Sequence, residues 1–362
     1  MTVYNYSHII YTYELLSEGK IMNKKITSKD VAKAAGVSQS LVSMILNQVP
    51  NKKIKAETRE LVLGTAKRLN YTVNMNARNM KNRKAGAIGL LSTWDANSFV
   101  FPPVIKGVQA LCAEKDTGVV ICTGKKGLSA NPDYIDYYFQ NRIDGLIYVS
   151  YVGVKYEGVI EELTTNEIPF VCIIGARDLP GVSCVDVSFL ESGYLAARHL
   201  VSKGYKAIGF IASKNFRELC YAENERFEGL KKVCFEKGID LAVENIFEDA
   251  NDEISMIEAA KVYLEQGSCD AVVATSYNCF IILKVASMLG LKVPEALGVI
   301  SLDNELYAPY LFPALTTVDE PLYDIARKAT SILFENINGD KVCKKLELLP
   351  FLSERESTGK TT

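Results

Sequence analysis

The chain has 362 residues, of which 48% are hydrophobic and 23% charged, so it is long enough for two or three domains of ordinary globular composition. No apolar run approaches 18 residues, so no helical membrane span is expected. The net charge of −2 is the sum of two parts with opposite charge. Residues 22–84 hold 14 Lys and Arg and three acidic residues, whereas residues 85–362 hold 26 basic and 38 acidic residues. The compact basic part predicts a polyanionic partner, unless it is only a solvated basic face.

The cysteines and histidines limit the possible chemistry. All nine cysteines lie at or beyond Cys112 without a C-x-x-C pair, and His8 and His199 are the two histidines, so we expect no metal site. Cysteines scattered in apolar runs, with no secretory signal ahead of them, indicate buried thiols in a reducing, cytoplasmic compartment. No Ser/His/Asp, Cys/His or paired-carboxylate pattern is present, so we predict neither a cofactor nor enzyme activity.

The first 21 residues fit neither a helix nor a strand pattern, and the basic part begins cleanly at Met22. Two interpretations stay open for residues 1–21. They are either a short disordered extension or a segment that precedes a natural start at Met22. The intact mass of the protein made from its own promoter distinguishes the two.

Residues 27–47, TSKDVAKAAGVSQSLVSMILN, predict two short helices joined by a glycine turn. Thr27 followed three residues later by Asp30 is typical of a capping box at the start of the first helix. Gly36 supplies the turn, and Ser38 can cap the second helix. Two helices joined in this way describe a helix-turn-helix, whose second helix enters the major groove of DNA.

Helical spacing separates an inner from an outer face of these helices. The residues predicted to face inward are Val31, Ala34, Ala35, Val42, Ile45 and Leu46. The outer face of the second helix is polar except for one methionine and holds Gln39, Ser40, Ser43, Met44 and Asn47. A third helix is predicted over residues 56–69 with Val62, Ala66 and Leu69 inside. The basic residues available for phosphates are Lys52, Lys53, Lys55, Arg59, Lys67 and Arg68.

Three segments, ITSKDVAKAAGVSQSLVSMILN, ETRELVLGTAKRLNY and NMNARNMK, resemble the DNA-binding head and hinge of the lac repressor and purine repressor (LacI/GalR) family in order and spacing. The similarity continues from residue 26 to residue 360. The resemblance implies an all-α helix-turn-helix head over residues 22–72 and a hinge over residues 73–84. An α/β, two-lobed, periplasmic-binding-protein-like domain for effector binding and dimerisation follows over residues 85–362.

The resemblance implies how the head reads DNA. Gln39 and Ser40 occupy positions that usually read base edges, and Met44 occupies a third, where the family usually has Arg or another polar residue. Methionine cannot form the paired hydrogen bonds that select guanine. It can pack on a thymine methyl group, or it can rest on the DNA backbone or on the third helix. The implied contacts of the head are Thr27, Ser38, Gln39, Ser40, Ser43, Met44 and Asn47.

Residues 74–81 resemble the hinge helix of the family, which is too short to be stable alone in water. The resemblance implies that it folds on DNA, pairs with its copy from the second subunit in the minor groove, and inserts Met80 as an apolar wedge. Val73 stands where the family often has Pro. The alternative, a basic disordered linker, describes the segment away from DNA. The implied contacts are Asn74, Ala77, Arg78, Met80 and Lys81.

From Ala87 onward, apolar strand-like runs alternate with amphipathic stretches, which predicts parallel sheets covered on both faces by helices. A break near residues 181–186 divides the strands into two sets and predicts two α/β lobes. The ligand is expected between the lobes at the carboxyl ends of the strands. The predicted strands span residues 87–91, 119–123, 144–149, 169–174, 207–212, 270–275 and 298–303.

The resemblance also implies an effector site. Arg226 and Gly229 match the family's Arg-x-x-Gly, and Asp303 in ISLDN falls on the other effector-binding position. A guanidinium that donates and a carboxylate that accepts suit a hydroxyl-rich molecule, which favours a sugar over a nucleobase or an amino acid. Thr275 and Tyr277 are also candidate effector-binding residues. At this position the family usually has Asn-Asp, and this chain has Thr275-Ser276 instead.

Four residues near the first strand have two interpretations. They either provide an apolar face for a sugar ring or pack in the core or a dimer interface. They are Thr93, Trp94, Phe99 and Phe101.

These patterns predict a cytoplasmic transcriptional repressor whose affinity for DNA changes when a small molecule binds. The leucine-rich tail of the lac repressor is missing after EREST, so a homodimer and a near-palindromic operator are expected. Whether the effector releases DNA or acts as a corepressor stays open. A solute-binding protein with the same two-lobed fold is the alternative class, and the basic head argues against it.

Overall fold

The computed structural model divides into two compact units, residues 1–78 and 79–362, which we call the head and the body. Both interpretations of residues 1–21 fall outside the described residues. The structure describes residues 26–46, 54–71, 84–92, 100–125, 131–150, 157–213, 215–244, 246–247, 252–340 and 343–359.

The head contains the three predicted helices, α1 (Ser28–Ala35), α2 (Gln39–Leu46) and α3 (Ala56–Arg68). The capping box is confirmed, because the Thr27 N–H donates to Asp30 Oδ2 at 2.8 Å and the Asp30 N–H donates to Thr27 Oγ1 at 3.4 Å. Gly36 ends α1 with a φ of +66°, a left-handed conformation that suits glycine.

A small apolar core holds the head together. The prediction that Ala34 faces inward was wrong: Ala34 is exposed and Ala32 is buried instead. Ala32 shares the buried stripe with Val31 and Ala35, which are one helical turn apart, so Ala34 falls on the opposite side of this short helix. The buried hydrophobic residues of the head are Val31, Ala32, Ala35, Val42, Ile45, Val62 and Ala66.

The first lobe of the body is a parallel sheet with helices on its faces. Its strands are β1 (Ala87–Ser92), β2 (Gly118–Cys122), β3 (Leu146–Val149), β4 (Phe170–Ile173), β5 (Cys184–Val187) and β11 (Lys345–Leu348). They lie in the order β11-β5-β4-β3-β1-β2. The helices are α4 (Phe101–Glu114), α5 (Asp133–Phe139), α6 (Glu157–Thr165) and α12 (Leu322–Ile337).

The second lobe repeats this architecture with one antiparallel edge strand, β12. Its strands are β6 (Ala207–Ile211), β7 (Asp240–Glu244), β8 (Ala271–Ala274), β9 (Gly298–Ser301), β10 (Thr316–Asp319) and β12 (Phe351–Ser353). They lie in the order β12-β10-β9-β8-β6-β7. The helices are α7 (Phe189–Ser202), α8 (Phe216–Leu219), α9 (Tyr221–Lys237), α10 (Glu253–Gln266) and α11 (Ser276–Met288).

The seven predicted strands are confirmed, but the predicted break between the lobes was wrong. Residues 184–187 form β5, which is fully buried and pairs with β4 and β11 in the first sheet. The strand escaped prediction because it has four residues, CVDV, with an acid in the middle. Asp186 is nevertheless buried, since it accepts hydrogen bonds from the Gly175 N–H (3.0 Å) and the Tyr221 hydroxyl (3.0 Å).

Two glycines bring α7 and α9 into close contact in the second lobe. A Cβ atom on Gly193 would lie 1.8 Å from the carbonyl oxygen of Arg226, and one on Gly229 would lie 2.1 Å from that of Leu190. No real side chain fits at these distances. The Gly of the Arg-x-x-Gly sequence therefore serves helix packing, and this packing fixes the backbone from which the Arg226 side chain extends.

His199 on α7 is a packed residue. It is buried, and its Nε2 lies 2.7 Å from Thr358 Oγ1. Burial lowers the pKa of His199 below its usual value. In the described part of the chain, we find no helix that combines the length and the apolarity needed to cross a bilayer.

Candidate DNA-binding face and effector cavity

The outer face of α2 presents short polar side chains. Gln39, Ser40 and Ser43 are exposed, and Met44 is half-buried. Gln39 Nε2 donates to Ser28 Oγ at 2.9 Å, which ties the start of α2 to α1. This face therefore combines polar groups with one apolar side chain, as expected for a helix that reads base edges.

Two further residues of the predicted DNA set, Thr27 and Ser38, are exposed and take part in helix capping. Thr27 belongs to the capping box, and Ser38 Oγ accepts the Leu41 N–H at 3.2 Å. Such short contacts fix both helix starts and leave hydroxyl oxygens at the surface. The predicted contacts Asn47, Asn74, Ala77, Arg78, Met80 and Lys81 lie outside the described residues.

The third helix and the residue before it carry four basic side chains of the head. Lys55, Lys67 and Arg68 are exposed, and Arg59 is half-buried. Exposed cations supply sequence-independent attraction to phosphates, which weakens as the salt concentration rises. Lys52 and Lys53 lie outside the described residues.

The body contains a cavity of about 290 Å³ between its lobes. Its walls come from the segments that follow the carboxyl ends of β4, β5, β6, β8, β9 and β10, which is the usual ligand position in parallel sheets. Its lining includes the polar side chains Glu223, Arg226, Thr275, Asp303, Glu305 and Glu320 and the apolar or aromatic ones Val100, Ile174, Phe189 and Tyr277.

Arg226 is the buried centre of this cavity. Its Nη2 donates to the Leu302 carbonyl oxygen at 3.0 Å and to Glu320 Oε1 at 2.6 Å, and its guanidinium carbon lies 5.0 Å from the centre of the Phe189 ring. The side chains of Arg226 and Glu320 are 8% and 5% exposed. The buried Nε of Arg226 has no hydrogen-bond partner among the described residues, so one donor of the fork is left for a ligand or water.

Burial has the largest effect on the pKa of Glu320. Burial raises that pKa to about 7, the neighbouring Asp303 and Asp186 raise it as well, and Arg226 opposes the rise. Removing an ionised carboxylate from water disfavours its charge even when a guanidinium lies beside it. Glu320 therefore carries a partial rather than a full negative charge near neutral pH.

Asp303 is held by the N-terminus of α11. Its Oδ1 accepts the Ser276 N–H at 2.7 Å and the Ser301 hydroxyl at 2.9 Å. Within the part of the chain that the structure describes, no hydrogen bond is formed by Asp303 Oδ2, which is available to accept from a ligand.

The structure brings Arg226, Thr275, Tyr277 and Asp303 together around the cavity. It places Phe101 elsewhere: this residue begins α4 and packs against the core of the first lobe, so the packing interpretation applies to it. The other members of the predicted aromatic group, Thr93, Trp94 and Phe99, lie outside the described residues.

The sequence prediction missed the acidic and aromatic groups that complete the cavity: Phe189, Glu223, Glu305 and Glu320. The sequence position of Glu320 could have predicted a place in the cavity, because Glu320 directly follows a strand and precedes Pro321. That strand, TTVD, has too few apolar residues to be recognised. Phe189 was hidden by the misplaced lobe boundary, since it is the first residue of α7 after β5.

A helix-turn-helix head and a two-lobed α/β body with a ligand cavity define the class of ligand-responsive DNA-binding regulators. Comparisons with known proteins agree. Residues 27–74 match the family described as bacterial regulatory proteins, lacI family, and residues 197–358 match the periplasmic binding protein-like domain.

One relative and two solved structures extend the match to nearly the whole chain. The HTH-type transcriptional repressor PurR of Vibrio vulnificus (strain CMCP6) is 30% identical over 345 residues, covering 92% of this chain and 99% of the relative. The lac repressor dimer bound to operator and the anti-inducer ONPF superimposes with a TM-score of 0.73 at 20% identity, covering 92% of this chain and 99% of that one. The transcriptional regulator CelR-cellobiose complex gives 0.62 at 23% identity with the same coverage.

The chain belongs to the lacI family of bacterial regulatory proteins. It is a transcriptional repressor of this family, with a DNA-binding domain in the head and a ligand-binding domain in the body.

Proposed function

We propose that this repressor acts in the cytoplasm as a homodimer whose affinity for a near-palindromic operator changes when a sugar binds between its lobes. The observation that carries the proposal is that Arg226 and Asp303 line one cavity, each with a polar atom left without a partner among the described residues. A hydroxyl group both donates and accepts, so a polyhydroxylated ring satisfies the two residues together.

Aromatic and aliphatic walls beside these polar groups support a sugar ring. Phe189 and Tyr277 line the cavity together with Val100 and Ile174. One solved neighbour is a complex of the transcriptional regulator CelR with a sugar, cellobiose. An amino-acid corepressor fits the cavity less well, because its carboxylate would face the acidic side chains Glu223, Asp303 and Glu305.

Contacts between the lobes explain how a ligand in the cavity would act at a distance. The Tyr221 hydroxyl of α9 donates to Asp186 of β5 at 3.0 Å, and Arg177, which follows β4, forms an ion pair with Glu225 of α9. A ligand that changes the angle between the lobes must rearrange these contacts. The resulting shift of the two hinge segments would change operator affinity by about 1–3 kcal/mol, and DNA would change effector affinity by the same factor.

A group of exposed apolar side chains supports the homodimer. The segment after β9 exposes four large residues, of which Tyr310 is 81% and Phe312 is 97% exposed. Apolar surface of this kind usually marks an interface. We place part of the subunit contact here, on Leu306, Tyr307, Tyr310 and Phe312.

DNA binding is tested by fluorescence anisotropy of the full chain with the DNA upstream of its gene and with a scrambled duplex. We expect tighter binding to the upstream DNA, and affinity for both duplexes that falls as salt rises from 50 to 200 mM. An absence of preference for any duplex, with and without ligands, contradicts the proposal.

The effector is tested by thermal shift with panels of sugars, nucleobases and amino acids. We expect stabilisation by a sugar, lost in Asp303→Asn and kept in Asp340→Asn, an exposed site outside the cavity lining. Stabilisation by a nucleobase or an amino acid alone would contradict the sugar assignment. Anisotropy with the stabilising compound then shows whether it releases or tightens operator binding.

A further inference from the structure

The net charge of the cavity depends on whether the positive charge of Arg226 is already paired with an acidic side chain of the protein. Arg226 forms an ion pair with Glu320 at 2.6 Å, and the same Nη2 atom also donates to the Leu302 carbonyl oxygen. Glu320 is only partly ionised near neutral pH, because burial raises its pKa, so it offsets part of the Arg226 charge. The sign of the charge that a ligand meets is therefore decided by the other ionisable side chains.

Those other side chains are acidic. Glu223, Asp303 and Glu305 line the cavity, and Arg226 is the one basic side chain among the lining residues that the structure describes. Burial raises the pKa of Glu305, and the negative charge of Asp303, two residues earlier in the chain, raises it further. The described lining thus carries an excess of negative charge without a matching cation.

Several acceptors in this group have no partner inside the described protein. The Glu305 carboxylate forms no hydrogen bond or ion pair there, and Asp303 uses Oδ1 alone. Glu223, in contrast, accepts from the Ser213 N–H at 3.1 Å and the Ser213 hydroxyl at 3.0 Å. Unpaired carboxylates in a partly enclosed cavity favour a ligand that brings N–H donors and positive charge.

The buried Arg226 adds a second and independent sign of a ligand. Its Nε is buried and unpartnered among the described residues, which requires an acceptor such as a hydroxyl oxygen. Phe189, against which the Arg226 guanidinium lies, adds an aromatic surface that can contact a ring or a cation. The cavity therefore offers complementary groups for hydroxyls, for a ring face and for a cation.

We infer that the effector is an amino sugar, a hydroxyl-rich ring that carries a protonated amine beside Asp303 and Glu305. This inference rests on the proposed function, because it narrows the class of sugar that the same cavity binds. The ammonium group donates three hydrogen bonds and offsets the repulsion between the two carboxylates. Acidic sugars are rejected, since their carboxylate would add a further like charge.

The inference is tested with the full chain by isothermal titration and thermal shift, using sets of sugars that share a ring and differ in charge. Each set holds the free amine, the N-acetylated amine, the neutral hydroxyl parent and the uronic acid, for the gluco, galacto and manno rings. We expect the free amine of one ring to bind at least about tenfold more tightly than its neutral partners, because hydrogen bonds to charged groups are stronger. Its affinity should also fall as salt rises.

Two variants test whether the preference for the free amine arises in the cavity. Glu305→Gln keeps the shape of the side chain and removes its charge, so it should reduce the tenfold preference for the amine over the neutral sugar. Glu161→Gln, at an exposed position on α6, is the matched control and should preserve the preference.

Each outcome decides between the inference and the proposed function. Tighter binding of a neutral or acidic sugar overturns the amino-sugar inference and leaves the sugar-responsive repressor standing. An unchanged amine preference in Glu305→Gln also overturns the inference. Binding of no sugar, with a nucleobase or an amino acid active in the thermal-shift panel, overturns both the inference and the sugar assignment.

Discussion

The DNA-reading face of the head and the effector cavity of the body place their functional residues in opposite environments. Gln39, Ser40 and Ser43 are exposed on one short helix. Arg226, Asp303 and Glu320 are buried and come from separate segments of the chain. Substitutions on the reading face should change recognition without changing stability, whereas substitutions in the cavity should change both. Single substitutions in the head and in the body test this difference.

The head should be the more fragile unit, because a domain of this size buries few apolar side chains. Ile45 is fully buried in its small core, and Ile45→Ala removes about 2–5 kcal/mol of stability. We expect the head to unfold and operator binding to be lost, while effector binding and thermal unfolding of the body stay unchanged. Ile254→Ala, at a site 69% exposed on the body, is the matched control and should retain operator binding. Retained binding in Ile45→Ala would show that the head is stabilised by more than its own core.

The body should be sensitive to its helix contacts. Gly229→Ala places a Cβ atom 2.1 Å from the Leu190 carbonyl oxygen, so α7 and α9 must separate at a cost of about 1–3 kcal/mol. Because Arg226 lies on the same helix, effector affinity should fall together with the melting temperature. Gly64→Ala on exposed α3 meets no atom within 4 Å and should stabilise the head by about 0.5–1 kcal/mol. Equal melting temperatures for Gly229→Ala and the parent would contradict the close packing.

The buried Glu320 predicts a pH dependence of stability. Its pKa is raised in the folded protein to about 7, so the folded state binds this proton more tightly than the unfolded state does. Its contribution to stability is therefore complete below the unfolded pKa and is lost as the pH rises through about 7. Relative to Glu320→Gln, the parent should lose on the order of 1–3 kcal/mol of stability between pH 5 and pH 8. Urea unfolding of both proteins across this range measures the difference, and a difference that does not vary with pH would refute it.

The reading face should give the most localised effect, limited to one base pair and without a change in stability. Met44→Arg introduces a side chain that can form paired hydrogen bonds with guanine, so one operator position should change its preferred base by about 1–3 kcal/mol. Binding to non-specific DNA should not weaken, and the melting temperature should change little. Met44→Leu keeps an apolar side chain and should keep the original preference. Selection from a randomised operator library measures both variants, and the same preferred bases for Met44→Arg and the parent would exclude a reading role for Met44.

The sequence by itself determined the helices of the head and seven of the body's strands. The capping box at Thr27, the turn at Gly36 and the apolar runs such as AIGLL are local signals, readable over a few adjacent residues. The same locality made the outer face of α2 predictable, because its residues share one helix.

The tertiary structure alone decided the boundary between the lobes and the charges of the cavity. The strands CVDV and TTVD carry buried polar residues whose partners lie far along the chain, as Asp186 shows with Tyr221. The family resemblance pointed to Arg226 and Asp303, but nothing in the sequence paired Arg226 with Glu320, 94 residues away. Such pairing arises because crossover connections bring the carboxyl ends of many strands to one edge, and this long-range geometry sets both the burial and the charge of each side chain.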